Sequence, residues 1–525
     1  MRYVFPPYGP WFSGVAVFAG FWRRWPAIGS CMTNPLLTVN ALTAHLGSED
    51  RPVRVVDGVG LEIRRGETFA LLGESGCGKS MTALSLMWLL PPSGRIVDGR
   101  VRLGDTELLG LPERTMRGVR GGRLAMIFQE PQTSLNPVLT VGQQIAKAVR
   151  LHKDRSGDRV PRRVLELLEA VGILDPQRRS GGYPHQLSGG MKQRVMISMA
   201  LAGRPELLIA DEPTTALDVT IQAQVLRLLK GLQRETGLAV LLITHDLGVV
   251  AETADRLAVM YAGRILETAT AAEFFARSAH PYSRKLMASL PTPEKRAGAL
   301  AVILGRVPSL DWSFKGCRFA DRCDQVMDRC REREPAWYEA APTHRVRCHL
   351  WEEGEPTTDA DPEDSGARDA FPIRQSQSRG MGFCDTLQID ETLLRVTDLE
   401  VHFPIHRGVF RRVVGQVKAV DGVSLDLRSG GTLALVGKGL LRLIPTAGGT
   451  VRFGDTELTR LGGRAMRSYR KDLQIIFQNP FAAMNPRMLV GDIVGEGLQA
   501  LRIEPNRATR LARVRALLDR VGLSP

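Results

Sequence analysis

The apolar positions of this chain fall into short, unbroken runs. Phe69-Ala-Leu-Leu72 and Leu207-Leu-Ile-Ala210 each read as a strand covered on both faces. The first is followed by a glycine-rich loop and a helical run, Met81 to Leu90, and the second runs straight into Asp211 and Glu212. Another apolar strand ends at Ile243-Thr-His-Asp246, and Ser188-Gly-Gly190 opens an amphipathic helix. Strands that alternate with loops and helices predict an α/β fold. No apolar run reaches the roughly 18 residues that a bilayer-spanning helix needs. The best stretch, Trp11 to Trp22, is short and is followed by Arg23 and Arg24. Those arginines also break the apolar segment that a lipoprotein box at Ile28-Gly-Ser-Cys31 would require. Residues 1–33 are therefore expected to be a leader outside the fold, with translation starting at Met32.

The chain repeats itself. Val53–Ala70 (VRVVDGVGLEIRRGETFA) returns as Val417–Ala434 (VKAVDGVSLDLRSGGTLA), and Ile127-Phe-Gln-Glu-Pro returns as Ile476-Phe-Gln-Asn-Pro. The repeat predicts two homologous domains, a first copy over 36–290 and a second over 391–525. An appendage carrying four cysteines fills 291–350. Residues 351–390, rich in Asp, Glu, Gly, Ser, Pro and Arg, read as a flexible linker. The second copy stops at Pro525, opposite Leu174 and Asp175 of the first, and is expected to be truncated before several of the motifs below.

Composition adds exclusions. With 525 residues, 43% hydrophobic and 24% charged, the chain is not disordered, collagen-like or a small disulfide scaffold as a whole. A formal net charge of +14 suits an acidic partner such as a nucleotide. Arginine outnumbers lysine all along the chain, so the charge does not single out a nucleic-acid patch and no nucleic-acid partner is expected.

Gly73-Glu-Ser-Gly-Cys-Gly-Lys-Ser80 sits between a strand and a helix, which is the setting of a phosphate-binding P-loop. Gly73, Gly76 and Gly78 let the backbone turn tightly, so that N–H groups from Glu74, Ser75 and Cys77 onward face phosphate oxygens at a helix start. Lys79 supplies a charge at the β- and γ-phosphates, and Ser80 a hydroxyl for Mg²⁺. Asp211 is the expected Mg²⁺ carboxylate and Glu212 the general base. Ser188, Gly189 and Gly190 form a second anion-binding helix start.

Leu187-Ser-Gly-Gly-Met-Lys-Gln-Arg194 resembles the signature sequence of ABC-type ATPases. That resemblance implies a P-loop NTPase fold with a RecA-like core, an antiparallel β subdomain and a helical signature subdomain. It also implies a role for Gln129 (Q-loop, near Mg²⁺), Asp218 (D-loop) and His245 (switch histidine). The adenine-stacking aromatic ring of the family has no counterpart here, where Leu46 stands opposite Phe403, and His45 or an aliphatic contact is the expected substitute. Glu130-Pro-Gln-Thr-Ser-Leu-Asn-Pro137 and His280-Pro-Tyr-Ser-Arg-Lys285 resemble the ATPase subunits of dipeptide, oligopeptide and nickel importers. Expected partners are then two transmembrane permease subunits, an extracytoplasmic solute-binding protein and a second complete ABC ATPase domain. The expected location is the cytoplasmic face of the inner membrane. Cys317, Cys323, Cys330 and Cys348 resemble the ligands of cluster-bearing importer subunits, and a [4Fe–4S] cluster, zinc and unused reduced thiols are all open. Alternative functions are a decayed fusion that folds without energising transport, and a soluble ABC protein outside transport.

The second copy has lost its phosphate loop. Aligning Gly437 with Gly73 and Leu440–Pro445 with Leu86–Pro91 leaves ten residues missing. Gly437 to Leu440 spans at most about 11 Å, too little to encircle a triphosphate and start the helix. Lys438 falls opposite Leu84, inside the helix. Gln478 remains, without a partner motif.

Overall fold

The computed structural model describes residues 35–48, 52–129, 134–152, 159–215, 219–290, 301–308, 314–352, 392–407, 412–430, 446–476, 484–501 and 506–521, with single positions 217, 310, 433, 503, 504 and 523. The leader, linker residues 353–390, Asp218, residues 434–445 and Gln478 lie outside the described residues, while Trp351 and Glu352, expected to begin the linker, close the last helical turn of the appendage. The chain divides into two compact units, Met1–Asp364 and Ser365–Pro525.

The first unit holds two sheets. In the smaller, β1 (Pro35–Leu46) pairs antiparallel with β2 (Val53–Arg64) and β4 (Gly94–Leu103), and β5 (Thr106–Glu107) closes the edge. The larger sheet contains β3 (Thr68–Leu72), β6 (Leu124–Ile127), β7 (Leu207–Asp211), β8 (Ala239–Ile243), β9 (Arg256–Tyr261), β10 (Arg264–Thr270), β11 (Tyr338–Ala341) and β12 (His344–Val346). Its order is β11-β12-β10-β9-β3-β8-β7-β6. The five strands from β9 to β6 are parallel, and every residue of β3, β7 and β8 is buried, as expected of strands covered on both faces. β10, β12 and β11 extend the sheet antiparallel, so the four-cysteine appendage is built onto the ATPase core rather than hung from it.

Register sets the functional edge. Asp211 pairs with Ile243, Ile127 with Ala210 and Leu71 with Ile243. The loops leaving β3, β8, β7 and β6 therefore emerge side by side at the carboxyl ends of the strands, where open α/β sheets place their ligand sites.

Two expectations are corrected. The helix after the glycine-rich loop is Lys79–Met87, not Met81–Leu90. Trp88 turns left-handed (φ 53°), and the Leu89 N–H bonds back to the Leu84 carbonyl at 2.8 Å, a C-terminal cap that stops the helix before Pro91 and Pro92. The helix Gly189–Leu201 is not one-sided either. Val195, Met196, Ile197, Ala200 and Leu201 are all buried, because the helices Val141–His152 and Val160–Ala170 cover one side and Val219–Thr236 another.

In the second unit β14 (Arg412–Arg428), β13 (Thr392–Arg407), β15 (Gly448–Phe453) and β16 (Thr456–Glu457) form a sheet in the order β14-β13-β15-β16, which repeats the β2-β1-β4-β5 order of the first. Leu394, Val396, Leu399, Val451, Leu458 and Met466 form its core. Beyond this sheet the two copies diverge. Leu433, the counterpart of Phe69 (1% exposed), is 47% exposed, and Ile476, the counterpart of Ile127 (1%), is 98% exposed.

Candidate nucleotide site

The loop from Gly73 to Ser80 is shaped by three glycines at positive φ, and two of them have no alternative. A Cβ on Gly73 would stand 2.2 Å from the Met260 carbonyl oxygen, and one on Gly78 2.4 Å from that of Val55. The loop thus packs directly on β9 and β2, which leaves its other side for a ligand. Ser75 and Gly76 are exposed on it. The Lys79 ammonium, 5% exposed, donates to the carbonyls of Gly73 (2.7 Å) and Glu74 (2.9 Å). Cys77 Sγ lies 3.7 Å from it, and burial pushes that thiol up, so it stays protonated. His45 pairs in register with Arg54, the neighbour of Val55, so it sits on β1, next to the strand β2 that borders the loop.

Ser80 Oγ donates to Asp211 Oδ1 at 3.2 Å. Burial, assisted by the adjacent Glu212 charge, raises the Asp211 carboxyl, while Ser80 and Lys79 work the other way. One hydroxyl and one carboxylate meeting at the loop fit a hard, oxygen-loving cation. Mg²⁺ held there would neutralise phosphate charge, with Ser80 and Asp211 as its protein ligands.

A second cluster centres on Glu212. Gln129 Nε2 (2.8 Å) and Thr215 Oγ1 (2.9 Å) donate to Glu212 Oε2, and His245 Nδ1 lies 3.1 Å from Oε1. The His245 contact, working against burial, pulls the carboxyl from 4.5 to about 2, with Thr215 and Gln129 adding to it. The same contact raises His245. Glu212 itself sits at φ 46°, a left-handed conformation that costs about 1–3 kcal/mol and is held by Glu212 N–H on the Ile243 carbonyl at 2.9 Å. The carboxylate is thus kept ionised and aimed. Gln129, expected near Mg²⁺, rests here on the Glu212 carboxylate instead.

Ser188 caps the helix Gly189–Leu201, its Oγ accepting from Met191 N–H at 3.4 Å. Ser188 and Gly189 are exposed, whereas Gly190 is buried so closely that a Cβ would stand 2.5 Å from Ile221 Cγ2. Among the described residues this helix start makes no hydrogen bond to the Gly73–Ser80 loop, so the structure gathers the loop, Asp211, Glu212, Gln129 and His245 together and leaves Ser188–Gly190 apart.

Three further residues at this edge were not assigned to the site from the sequence. Thr215 follows the acidic pair and could have been found from that spacing. Tyr282 Oη accepts the Glu74 N–H at 2.9 Å, so that N–H is turned away from the phosphate site it was expected to face, and Arg322 Nη1 donates to Glu74 Oε2 at 3.0 Å. Both come from far along the chain; Tyr282 stands in the His280–Lys285 string, which gave no hint of this contact, and nothing local announces Arg322.

The four appendage cysteines are free thiols. Burial pushes Cys317 up to about 11 and Cys348 up to about 12, and each also feels the charges of other members of the set. Among the described residues, no three His, Cys, Asp or Glu side chains stand in a metal-holding arrangement. The thiols therefore lie near one another without the geometry of a ligand set. No described helix is long and apolar enough to cross a membrane.

Comparison with known proteins agrees with this geometry. Residues 56–215 match the ABC transporter family, and residues 266–330 match the oligopeptide/dipeptide transporter C-terminal region. The chain is 42% identical over 503 residues to the oligopeptide transport ATP-binding protein OppD of Mycobacterium tuberculosis, covering 93% of this chain and 80% of that protein. It is 40% identical over 506 residues to the glutathione import ATP-binding protein GsiA of Escherichia coli K12, covering 93% and 71%. A probable peptide ABC transporter ATP-binding protein of Sinorhizobium fredii is 53% identical over 315 residues, 60% of this chain and 94% of the relative. The strand-edge loop, its acidic pair and the signature helix are thus parts of an ATP-hydrolysing subunit, and the chain belongs to the ABC transporter ATPases of the oligopeptide/dipeptide importer family.

Proposed function

We propose that this chain energises the import of peptides or related solutes by hydrolysing ATP between two copies of its first domain. The loop Gly73–Ser80 of one copy would bind the triphosphate, and Ser188, Gly189 and Gly190 of the other would cover it. Glu212 would accept a proton from the attacking water, and Asp218, outside the described residues, would line the shared seam. The observation that carries this reading is the joining of Gln129, Thr215 and His245 on one ionised Glu212 carboxylate beside the loop. The second copy cannot face the first copy's signature, because its sequence lacks the ten residues that would form a phosphate loop. Another complete domain must supply it. Specific ATPase activity should therefore rise with protein concentration, and Glu212→Gln should accumulate an ATP-bound dimer. Activity independent of concentration while the mass stays monomeric contradicts the proposal.

The permease subunits have a fitting landing place. Met87, Met126, Phe128, Met196 and Met199 line a cavity of about 450 Å³ beside Gln129. Methionine-rich apolar surfaces adapt to helical partners. Docking there would hold the chain at the cytoplasmic face of the membrane, with a solute-binding protein delivering cargo from outside. Co-purification with permease subunits, and its loss in Phe128→Asp, tests this. The four appendage thiols lack the geometry of a ligand set, and a [4Fe–4S] cluster, zinc and unused reduced thiols stay open for them. Near-stoichiometric iron and sulfide in anaerobically purified protein would establish the cluster, and colourless, iron-free protein would exclude it. A second reading, that the second copy is a remnant which contributes no nucleotide site, is favoured by the exposure of Leu433 and Ile476.

A further inference from the structure

The phosphate loop is held from outside by Tyr282, near the end of the first copy, and by Arg322 of the C-terminal appendage. Glu74, its second residue, has its N–H on Tyr282 Oη and its carboxylate on Arg322. Tyr282 is fully buried and packs at 4.7 Å on the Tyr261 ring and 5.2 Å on Phe319, so its oxygen is fixed in place. Arg322, with a side chain 7% exposed, is fully engaged: Nε donates to the Leu304 carbonyl (2.9 Å), Nη2 to that of Ile303 (3.2 Å), and Nη1 also to Tyr261 Oη (3.1 Å). Its guanidinium lies over the Tyr261 and Phe319 rings. Lys285 pins the same turn from the other side through the Arg322 carbonyl at 2.9 Å.

A carboxylate in a loop that must receive a triphosphate is an electrostatic liability. Glu74 Oε1 is buried and, among the described residues, has no hydrogen-bond partner. The Arg322 cation is what neutralises it. We propose that Arg322 and Tyr282, both outside the ATP-binding motifs, are positioning residues: they set the Glu74 peptide and cancel the Glu74 charge, and so fix the affinity of the loop for nucleotide. The inference rests on ATP binding at Gly73–Ser80, and wild-type binding of the probe is the control for that premise.

The test is titration of the full chain with Mg²⁺ and a fluorescent N-methylanthraniloyl ATP. Losing one charge-assisted contact and exposing the phosphates to Glu74, Arg322→Ala should weaken binding about tenfold. Arg322→Lys, which keeps the charge but not the fork, should fall between. The diagnostic is a reversal of sign: Glu74→Gln, which removes the partner of Arg322 and should weaken binding on its own, should strengthen it in the Arg322→Ala background. A merely structural arginine gives no such reversal. Tyr282→Phe keeps the ring and removes the acceptor of the Glu74 N–H, and should weaken binding several-fold with an unchanged fold; it decides the matter if Arg322→Ala does not fold. Wild-type affinity in folded Arg322→Ala or in Tyr282→Phe overturns the proposal. So does an equal effect of Glu74→Gln in both arginine backgrounds.

Discussion

The contact between Glu212 and His245 makes the proposed base measurable without substrate. The carboxyl falls from 4.5 to about 2 and the imidazole rises above 6.5, each chiefly through the 3.1 Å contact with the other. At about 1.36 kcal/mol per pKa step, the Glu212 change caps the stabilisation at about 3 kcal/mol. The His245 side chain is 56% exposed, however, so solvent screening reduces the pair to about 1 kcal/mol. A depressed carboxyl contributes stability above pH 4.5 that is lost as pH falls towards about 2. A raised imidazole contributes stability below 6.5 that is lost as pH rises through its folded value. The pair is therefore at full strength between those limits. Glu212→Gln keeps the shape and removes the charge. Titrating the histidine Cε1 resonances by NMR should place the wild-type His245 midpoint above 6.5 and move it down in Glu212→Gln, with about 1 kcal/mol of stability lost near pH 6. A wild-type midpoint at or below 6.5, or one that ignores the substitution, refutes the reasoning.

Lys79→Ala removes an ammonium now held by two loop carbonyls and should weaken Mg-ATP binding about a hundredfold while the fold persists, as read by calorimetry and circular dichroism. Gly78→Ala meets both a φ of 106° and a 2.4 Å approach to the Val55 carbonyl oxygen, and should cost about 3 kcal/mol in thermal or denaturant unfolding of the first unit. Ser188→Ala removes the cap of the helix Gly189–Leu201 and should cost about 1 kcal/mol, abolishing most turnover while leaving nucleotide binding by the monomer in place.

The parts of this protein that were legible in the sequence are those where one local requirement fixes the residue. Unbroken apolar runs gave β3 and β7, because parallel strands covered on both faces tolerate little else there. Gly73 and Gly78 marked the loop because a Cβ at either would collide with backbone. Local pattern failed where tertiary context decides. Leu89 and Leu90 look like a continuing helix, yet the cap at Trp88 ends it. The helix Gly189–Leu201 reads as amphipathic until the helices around it bury it on more than one side. Arg322 meets Glu74 only because β10, β12 and β11 extend the core sheet and bring the appendage back to the loop.

Complementation between two inactive chains tests the shared site most directly. Lys79→Ala spoils the phosphate loop and Ser188→Arg the covering helix start, so a symmetric dimer of either has no working site. In the mixed dimer the intact loop of one chain faces the intact helix start of the other. Random pairing of equal amounts should restore roughly a quarter of wild-type ATPase activity. A mixture as inactive as its components, or full activity in either variant alone, contradicts a site built from two chains.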